Sequence, residues 1–209
     1  MKKYSIVSII LAIVFSGAAA LWMAIQAPAR AVERILATVN SISVGETTEA
    51  ELLSRKEFQT LDRRCSRETC VYHMAANNAL LSQLHLAPYT LMWALVQVRD
   101  GMVIGVSVTV SKEGLKNVTM SQVRTLPEEC SSIPCVEPLV LPNKFLMSYR
   151  LLFDHQSDLR NRIPEAINAQ CWSHLHGCST YAELIPLSRG LNLEQISGAA
   201  QPPAMPALK

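Results

Sequence analysis

The chain has 209 residues, of which 49% are hydrophobic and 17% are charged, and its formal net charge is +2 at pH 7. This charge is too small to indicate a nucleic-acid partner, because nucleic-acid-binding domains carry a strongly basic surface. The sequence contains no G-x-S-x-G, P-loop, H-E-x-x-H or glycine-rich dinucleotide-binding motif, which excludes the signatures of several large enzyme classes.

An uncharged, mostly apolar run covers residues 4–25 and follows two lysines. A helix of about 20 apolar residues crosses the hydrocarbon core of a bilayer, whereas a cleaved signal peptide has a shorter apolar region of about 7 to 15 residues. We therefore predict an uncleaved transmembrane anchor over residues 5–26, with residues 1–4 in the cytoplasm because flanking lysines favour that side. Trp22 suits the outer membrane interface, where aromatic residues are enriched.

A cleaved signal peptide is the alternative to an anchor. Ala18-Ala19-Ala20 and Ala27-Pro28-Ala29 both place small residues at the spacing of a cleavage site. In either case the rest of the chain is exported. We predict a single-pass membrane protein whose domain lies outside the cytoplasm, at the bacterial inner membrane and facing the periplasm, with the lipid bilayer as its first partner.

The exported part is predicted to form one α+β domain over residues 27–187, a size that is ordinary for one hydrophobic core. Apolar residues recur at helical spacing directly after the membrane segment, so the anchor helix is expected to continue into the domain as an amphipathic helix. These positions are Val32, Ile35, Leu36, Val39 and Ile42. Residues 188–209 have no apolar period and contain A-A-Q-P-P-A-M-P-A, which predicts a disordered tail.

Two short helices are predicted from capping boxes. In Thr48-Glu-Ala-Glu51 the threonine oxygen can accept from the third helical amide, while the glutamate reaches back to the cap amide. A helix should follow and run to about Phe58. Thr180-Tyr-Ala-Glu183 repeats the pattern and predicts a last short helix that Pro186 closes.

A resemblance to known proteins begins at the first capping box, in the stretch VGETTEAEL from Val44 to Leu52. The order of helix, this stretch, second helix, strand and Asp-Gly hairpin resembles bacterial envelope proteins with a single membrane anchor. More distantly, it is similar to the small envelope lipoproteins of the β-barrel assembly machinery and to the β-lactamase-inhibitor-protein fold. The resemblance covers roughly residues 32–111 and implies a fold, without a function. Unlike those lipoproteins, this chain has no cysteine just after the apolar segment to take a lipid.

Alternating apolar residues predict strands over residues 71–76 and 145–153. The best-defined element is a hairpin of residues 91–98 and 103–111, because the Asp100-Gly101 pair between them favours a type I′ turn. A mostly antiparallel sheet with helices packed on one face follows from these elements.

The hairpin has two faces of different character if Asp100 and Gly101 alone form the turn. We expect the face with Trp93 to cover the core, because the opposite register would bury Ser107 and Thr109 and leave the tryptophan outside. The predicted faces are Leu91, Trp93, Leu95, Val106, Val108 and Val110 on one side, and Met92, Ala94, Val96, Gly105, Ser107 and Thr109 on the other.

Six cysteines lie beyond the apolar segment and fall into three close pairs. An even number of cysteines in an exported chain indicates disulfides, although sequence alone does not fix their connectivity. The close spacing favours local pairing, in which each bond staples a loop. The predicted disulfides are Cys65–Cys70, Cys130–Cys135 and Cys171–Cys178, so that the similar stretches CSRETCV and CSSIPCV are two staples of the same kind.

The third cysteine pair also offers zinc ligands, because His174 and His176 lie between Cys171 and Cys178. Four ligands from one eight-residue loop would strain a tetrahedral site, however, and oxidised cysteines provide no thiolate. We therefore predict no metal and no cofactor. Redox catalysis is also disfavoured, since the chain contains no C-x-x-C motif.

Catalytic candidates are few, and we assign no catalytic residue. Asp154 and Asp158 flank His155 and could orient its imidazole as a general base. Adjacent strand residues point to opposite faces, however, which places Asp154 poorly for this role. His73 is predicted to be a half-buried histidine in a strand. Asn117-Val-Thr119 matches a glycosylation sequon, which only a eukaryotic secretory pathway would use.

Two functions from different classes remain. The first is a non-catalytic protein-interaction or envelope-assembly module that binds a protein partner through a face or an edge of its sheet. The alternative is an anchored hydrolase whose site is built from scattered histidines and carboxylates. A concave pocket that gathers His155, His174 or His176 with a carboxylate would favour the enzyme. An exposed apolar patch without such a pocket would favour the binding module.

Overall fold

The computed structural model of the protein describes residues 2–59, 61–66, 68–115, 117–123, 135–140, 147–154, 167–173 and 177–186. Several predictions lie outside the described residues, namely those on Cys130, His155, Asp158, His174, His176 and the tail of residues 188–209.

The described elements alternate short helices with strands. In chain order they are α1 (Lys2–Asn40), α2 (Glu49–Ser54), α3 (Lys56–Gln59), β1 (Asp62–Ser66), β2 (Thr69–Asn77), α4 (Ala79–Gln83), β3 (Thr90–Arg99), β4 (Met102–Lys112), β5 (Asn117–Val123), β6 (Cys135–Val140), β7 (Met147–Asp154), a 3-10 helix (Ala169–Trp172) and α5 (Tyr181–Leu184).

Helix α1 joins the predicted anchor to the predicted amphipathic helix without a break, and it continues through Pro28. Its large apolar side chains are exposed between Ile9 and Met23, and the stretch from Ser8 is long and apolar enough to cross a membrane. One side of the helix is buried from Ala29 onward, as the helical spacing predicts. The buried positions are Ala29, Val32, Ile35, Leu36 and Val39, followed by Ile42 just beyond the helix.

The two capping boxes are confirmed in both of their hydrogen bonds. Thr48 Oγ1 accepts from the Glu51 amide at 3.2 Å, and Glu51 Oε2 accepts from the Thr48 amide at 2.8 Å. Thr180 and Glu183 make the same exchange at 3.3 and 3.4 Å. The helical region after Thr48 is divided into α2 and α3, because Arg55 adopts an extended backbone conformation between them.

The sheet has the strand order β1-β2-β3-β4-β5-β7-β6. Strands β1 to β5 form an antiparallel meander, β7 pairs with β5 in parallel, and β6 pairs with β7 in antiparallel orientation. Helix α1 contacts β2, β3 and the 3-10 helix. The chain therefore has the predicted α+β fold, with a mostly antiparallel sheet.

The predicted core face of the hairpin is right for Val106, Val108 and Val110 of β4 but wrong for β3, because a β-bulge changes the register. Asp100 and Gly101 have φ angles of 51° and 73°, as a type I′ turn requires, and Val98 pairs with Val103 as predicted. The pairing then shifts between Val98 and Gln97, which leaves Ile104 as an extra residue on β4.

From Gln97 back to Thr90, the bulge shifts the β4 partner of each β3 residue by one position. Trp93 consequently lies opposite Thr109 instead of Val108. Met92, Ala94 and Val96 are fully buried in the core, whereas Trp93 is half-buried on the other face of β3. The core face is apolar on both strands, because Val106, Val108 and Val110 now lie opposite Val96, Ala94 and Met92.

Candidate functional site

Two of the predicted disulfides are confirmed, and the bond between Cys130 and Cys135 lies outside the described residues. Cys65 and Cys70 are directly opposite each other on β1 and β2, with 4.0 Å between their Cα atoms. Cys171 and Cys178, 5.1 Å apart at Cα, join the 3-10 helix to the segment before α5, and both are buried. Both sulfurs of this second bond are oxidised, so neither is a thiolate ligand for zinc.

A polar cluster links helix α2 to the first two strands. Glu49 Oε1 accepts hydrogen bonds from Arg63 Nη2 and from the Tyr72 hydroxyl, each at 2.6 Å. The Arg63 guanidinium carbon also lies 5.7 Å from the centre of the Tyr72 ring, and Phe58 packs edge-on against that ring at 5.8 Å between centroids. Because the carboxylate is already shared by two donors, the cluster acts as a structural clamp beside the Cys65–Cys70 bond.

The clamp shifts the titration of Tyr72. Burial, the hydrogen bond to Glu49 and the charge of Glu49 raise the pKa of Tyr72 from 10.0 to about 12, although Arg63 acts in the opposite direction. Between about pH 10 and about pH 12 the Tyr72 hydroxyl is therefore protonated in the native state and ionised in the unfolded chain. The stability that the protonated tyrosine contributes is present below pH 10 and is lost as the pH rises toward 12.

Replacing Tyr72 with phenylalanine should remove this alkaline effect. We expect the free energy of unfolding of the unmodified chain to fall more steeply between about pH 10 and about pH 12 than that of Tyr72→Phe. Urea unfolding of the detergent-solubilised chain at a series of pH values measures the difference. Tyr89→Phe, which removes an exposed hydroxyl, is the matched control and should leave the alkaline fall in place. Parallel curves for the chain and Tyr72→Phe would contradict the assignment.

The histidines and carboxylates singled out in the sequence are not brought together among the described residues. Asp154 ends β7. His73 lies in β2 as predicted, but it is exposed, so the prediction that it is half-buried is wrong. Its β2 neighbours on the core face, Tyr72 and Met74, are buried instead, because strand residues alternate between the two faces.

A cleft that sequence analysis missed gathers a hydroxyl, an imidazole and a carboxylate. It has a volume of about 460 Å³ and is lined by Ser82, His85, Leu86, Ala87, Pro88 and Glu113. Nucleophilic catalysis requires a nucleophile and a base within hydrogen-bonding reach. In the part of the chain that the structure describes, no hydrogen bond joins Ser82, His85 and Glu113, and Glu113 Oε2 instead accepts from the Tyr89 amide at 3.3 Å.

Lys112 is an ionisable side chain that is almost fully buried, at the end of β4. Burial lowers its pKa, and the negative charge of Glu183 partly offsets this effect. The Glu183 carboxylate also accepts hydrogen bonds from the Ser179 and Thr180 amides. Lys112 is therefore a buried cation whose nearest stated electrostatic partner is the exposed capping carboxylate of Glu183.

The two edges of the sheet are poorly suited to strand addition. All five residues of β1 are exposed, and the strand includes the ion pair of Arg64 with Asp62 at 3.0 Å. Short charged edge strands oppose pairing with another chain. The other edge strand, β6, contains Pro138, which cannot donate a backbone hydrogen bond.

The face of β2 and β3 that points away from the core is apolar and only partly buried. We call it the outer face. It consists of Val71, His73, Ala75, Leu91, Trp93 and Leu95. No Asp, Glu, Lys or Arg occurs between Thr69 and Val98, so the outer face itself contains no charged group except a protonatable histidine. Asp62 and Arg64 of β1 border it, opposite His73 and Val71.

A second exposed apolar group lies in residues 79–89, which we call the α4 loop because it contains α4. Its exposed side chains are Leu80, Leu84, Leu86 and Tyr89. The loop joins β2 to β3 and carries no Asp, Glu, Lys or Arg. Sequence analysis assigned no role to this segment.

The sequon at Asn117 is not placed for modification. Asn117 begins β5 and is buried, and Thr119 of the same motif contacts Thr109 on β4, with 2.9 Å between the two hydroxyl oxygens. Glycans are attached to accessible asparagines. Because Asn117 is buried in the sheet, the motif serves as part of β5 and is not accessible to a glycan.

The comparisons with protein-family models, curated proteins and solved structures found no match for this chain. The resemblance to bacterial single-anchor envelope proteins and to the β-lactamase-inhibitor-protein fold stays a prediction.

Proposed function

We propose that the chain is a membrane-anchored, disulfide-stapled module that lies outside the cytoplasm and binds another protein without catalysing a reaction. The observation that carries the proposal is the continuity of α1, which is exposed and apolar up to Met23 and forms part of the core from Ala29. Such a helix holds the domain at the bilayer surface with no linker between them.

An uncleaved anchor explains the exposed part of α1. Nine large apolar side chains between Ile9 and Met23 are at least 50% exposed. A water-soluble protein avoids an exposed apolar patch of this size, because such patches aggregate. In a bilayer the same side chains face lipid. Ala29, at one of the two candidate cleavage sites, is only 2% exposed and lies inside the helix, so cleavage of the folded chain there would require local unfolding.

The disulfides support an oxidising compartment for the domain. Cytosolic thiols are kept reduced, whereas exported domains form and keep disulfides. Cys65–Cys70 and Cys171–Cys178 both lie beyond the apolar segment, so the domain that contains them belongs on the side opposite the cytoplasm.

The outer face is the proposed protein-binding surface. The edges β1 and β6 oppose strand addition, whereas the outer face presents Trp93 between Leu91 and Leu95 without a neighbouring charge. Tryptophan is enriched among the residues that dominate protein-binding energy, and charged residues are depleted from the centres of interfaces. The proposed partner therefore has an apolar, weakly charged surface.

The anchored hydrolase is the weaker of the two functions. The cleft beside the α4 loop contains suitable side chains, but Ser82 and His85 are not hydrogen-bonded to each other, and Glu113 is engaged by the Tyr89 amide. A hydrolase needs these groups to act on one another.

Photo-crosslinking in intact cells tests the proposed binding surface. A photoreactive amino acid replaces Ala75, which is exposed on the outer face of β2. In a matched chain it replaces Ala50, which is exposed on α2, next to the Glu49 that bonds Tyr72 on the core face of β2. We expect one discrete protein adduct from position 75 and none from position 50. A Leu95→Lys substitution should remove the adduct and leave protease resistance unchanged, because Leu95 lies on the same face. Adducts from position 50 alone, or from neither position, would contradict the proposal.

A further inference from the structure

The α4 loop lies at one end of the sheet, opposite the Asp100-Gly101 turn. Asn78 fixes the base of the loop, since its Nδ2 donates to the Pro88 carbonyl at 3.0 Å and its Oδ1 accepts from the Thr90 amide at 2.7 Å. Because β3 runs from Thr90 to Arg99, the loop and the turn are separated by the full length of that strand.

Helix α1 runs along the sheet from the loop end to the turn end. The segment after its C-terminus is held at the turn, where the Gly45 amide donates to the Val103 carbonyl at 2.8 Å. The helix also contacts the 3-10 helix, which the Cys171–Cys178 bond ties to Gly177. Gly177 in turn lies against Pro88 of the α4 loop, so closely that a Cβ there would be 3.3 Å from Pro88 Cδ. The apolar segment therefore leaves the domain at the end where the α4 loop lies.

The lengths of the two elements place the loop near the membrane surface. The ten residues of β3 span about 30 Å at about 3.3 Å per residue, the length of about 20 residues of α-helix. Counted back from Asn40, that length ends close to Trp22, the aromatic residue that suits the outer interface. The helix is also half-buried from Ala24 to Gln26, so the domain begins directly beyond that level.

The chemistry of the loop fits the interface of a bilayer. Leu80, Leu84, Leu86 and Tyr89 are 44%, 50%, 40% and 38% exposed, an unusual group of large apolar side chains for a water-facing loop. A tyrosine suits the boundary between hydrocarbon and headgroups, because its ring is apolar and its hydroxyl is polar. The nearby charged side chain is Glu113, whose carboxylate accepts from the Tyr89 amide.

We propose that Leu80, Leu84, Leu86 and Tyr89 of the α4 loop insert into the interfacial region of the same bilayer that α1 spans. The inference rests on the proposed membrane anchor. A single spanning helix leaves the domain free to rotate about the helix axis, whereas a second contact fixes which way the outer face points. The bilayer is favoured as the occupant of this surface because the surface continues directly from the spanning helix, and because residues 79–89 contain no Asp, Glu, Lys or Arg for a protein partner to recognise.

Quenching by brominated lipid tests the contact in the full-length chain. Leu84→Trp is made in a chain with Trp22→Phe and Trp93→Phe and is reconstituted into phosphatidylcholine vesicles with or without acyl chains brominated close to the headgroup. Leu53→Trp in the same background is the matched control, because Leu53 is 38% exposed and lies on α2, whose Glu49 amide donates to the Gly101 carbonyl at the opposite end of the domain. A chain that keeps Trp22 reports on the anchor itself. The buried Trp172 is common to all three chains.

We expect bromination to quench the Leu84→Trp signal several-fold more than the Leu53→Trp signal. Strong quenching of Trp22 with equal, weak quenching at positions 84 and 53 would overturn the proposed contact and leave the anchor in place. Weak quenching of Trp22 would instead overturn the anchor, and with it the proposed function. If position 84 is shielded from aqueous acrylamide but not quenched by brominated lipid, a protein or a second copy of the chain covers the loop, and the proposal is wrong.

Discussion

Replacing Leu36 with aspartate is expected to unfold the domain, although the substitution lies in the helix that anchors it. Leu36 is 4% exposed on the buried side of α1. The substitution removes a large core side chain, which typically costs about 2–5 kcal/mol, and places a carboxylate in the buried hydrophobic cluster to which Leu36 belongs. Since whole domains are stable by only about 5–15 kcal/mol, we expect most of the protein to be unfolded.

Ala37→Asp is the matched control, because Ala37 is the next residue of the same helix and is exposed. The same aspartate then has the same helix propensity and the same distance from the membrane segment, but it faces water. Pulse proteolysis of both variants in detergent micelles measures the folded fraction. If Ala37→Asp were cleaved as fast as Leu36→Asp, the effect would come from the helix itself, and α1 would not belong to the core.

Helix α1 and the starts of α2 and α5 could be predicted from the sequence because their signals are local, whereas α4 and the 3-10 helix were missed. A capping box is complete within four residues, so Thr48 and Thr180 specify their hydrogen bonds whatever surrounds them. The buried side of α1 follows from helical periodicity in the same way, since Val32, Leu36 and Val39 share one face in any α-helix. The cysteine pairs are also local, and the two that the structure describes are bonded as predicted.

The faces of the hairpin could not be predicted because a bulge is a property of two strands together. The Asp100-Gly101 turn fixes the register only as far as Val98 and Val103. Beyond that point an extra residue, Ile104, places Met92, Ala94 and Val96 instead of Trp93 and its neighbours opposite the core-facing valines of β4. Neither strand alone contains a signal for this shift, and strand β1 was missed because its sequence Asp-Arg-Arg-Cys-Ser has no apolar alternation.

The candidate surfaces depend on which residues lack neighbours, and this is a tertiary property. Leu80, Leu84 and Leu86 have the composition of core residues, and only the positions of β2, β3 and the 3-10 helix leave them exposed. The same holds for Trp93, whose size suggested a core position that the bulge assigns to Met92 and Ala94. The type of a side chain predicts whether burial is favourable, but the pairing of the strands determines whether that side chain is buried.

Trp172→Ala is expected to destabilise the domain by about 3–5 kcal/mol, the usual cost of removing a buried aromatic side chain. Trp172 is 0% exposed and belongs to the 3-10 helix that contacts α1. It is the largest of the fully buried side chains described, so its loss leaves a large cavity between α1 and the disulfide-stapled segment that ends at Cys178.

Trp93→Ala is the matched control, because it deletes the same side chain from a half-buried position on the outer face. We expect it to cost less than about 2 kcal/mol, since part of that side chain is in water in the native state. Urea unfolding of both variants, followed by far-ultraviolet circular dichroism, compares the two without relying on tryptophan fluorescence. A larger cost at position 93 than at position 172 would mean that the outer face is a second core and would remove it as a binding surface. A smaller destabilisation at position 93 than at position 172 would fit the proposed binding surface, because it would show that the core does not depend on the Trp93 side chain.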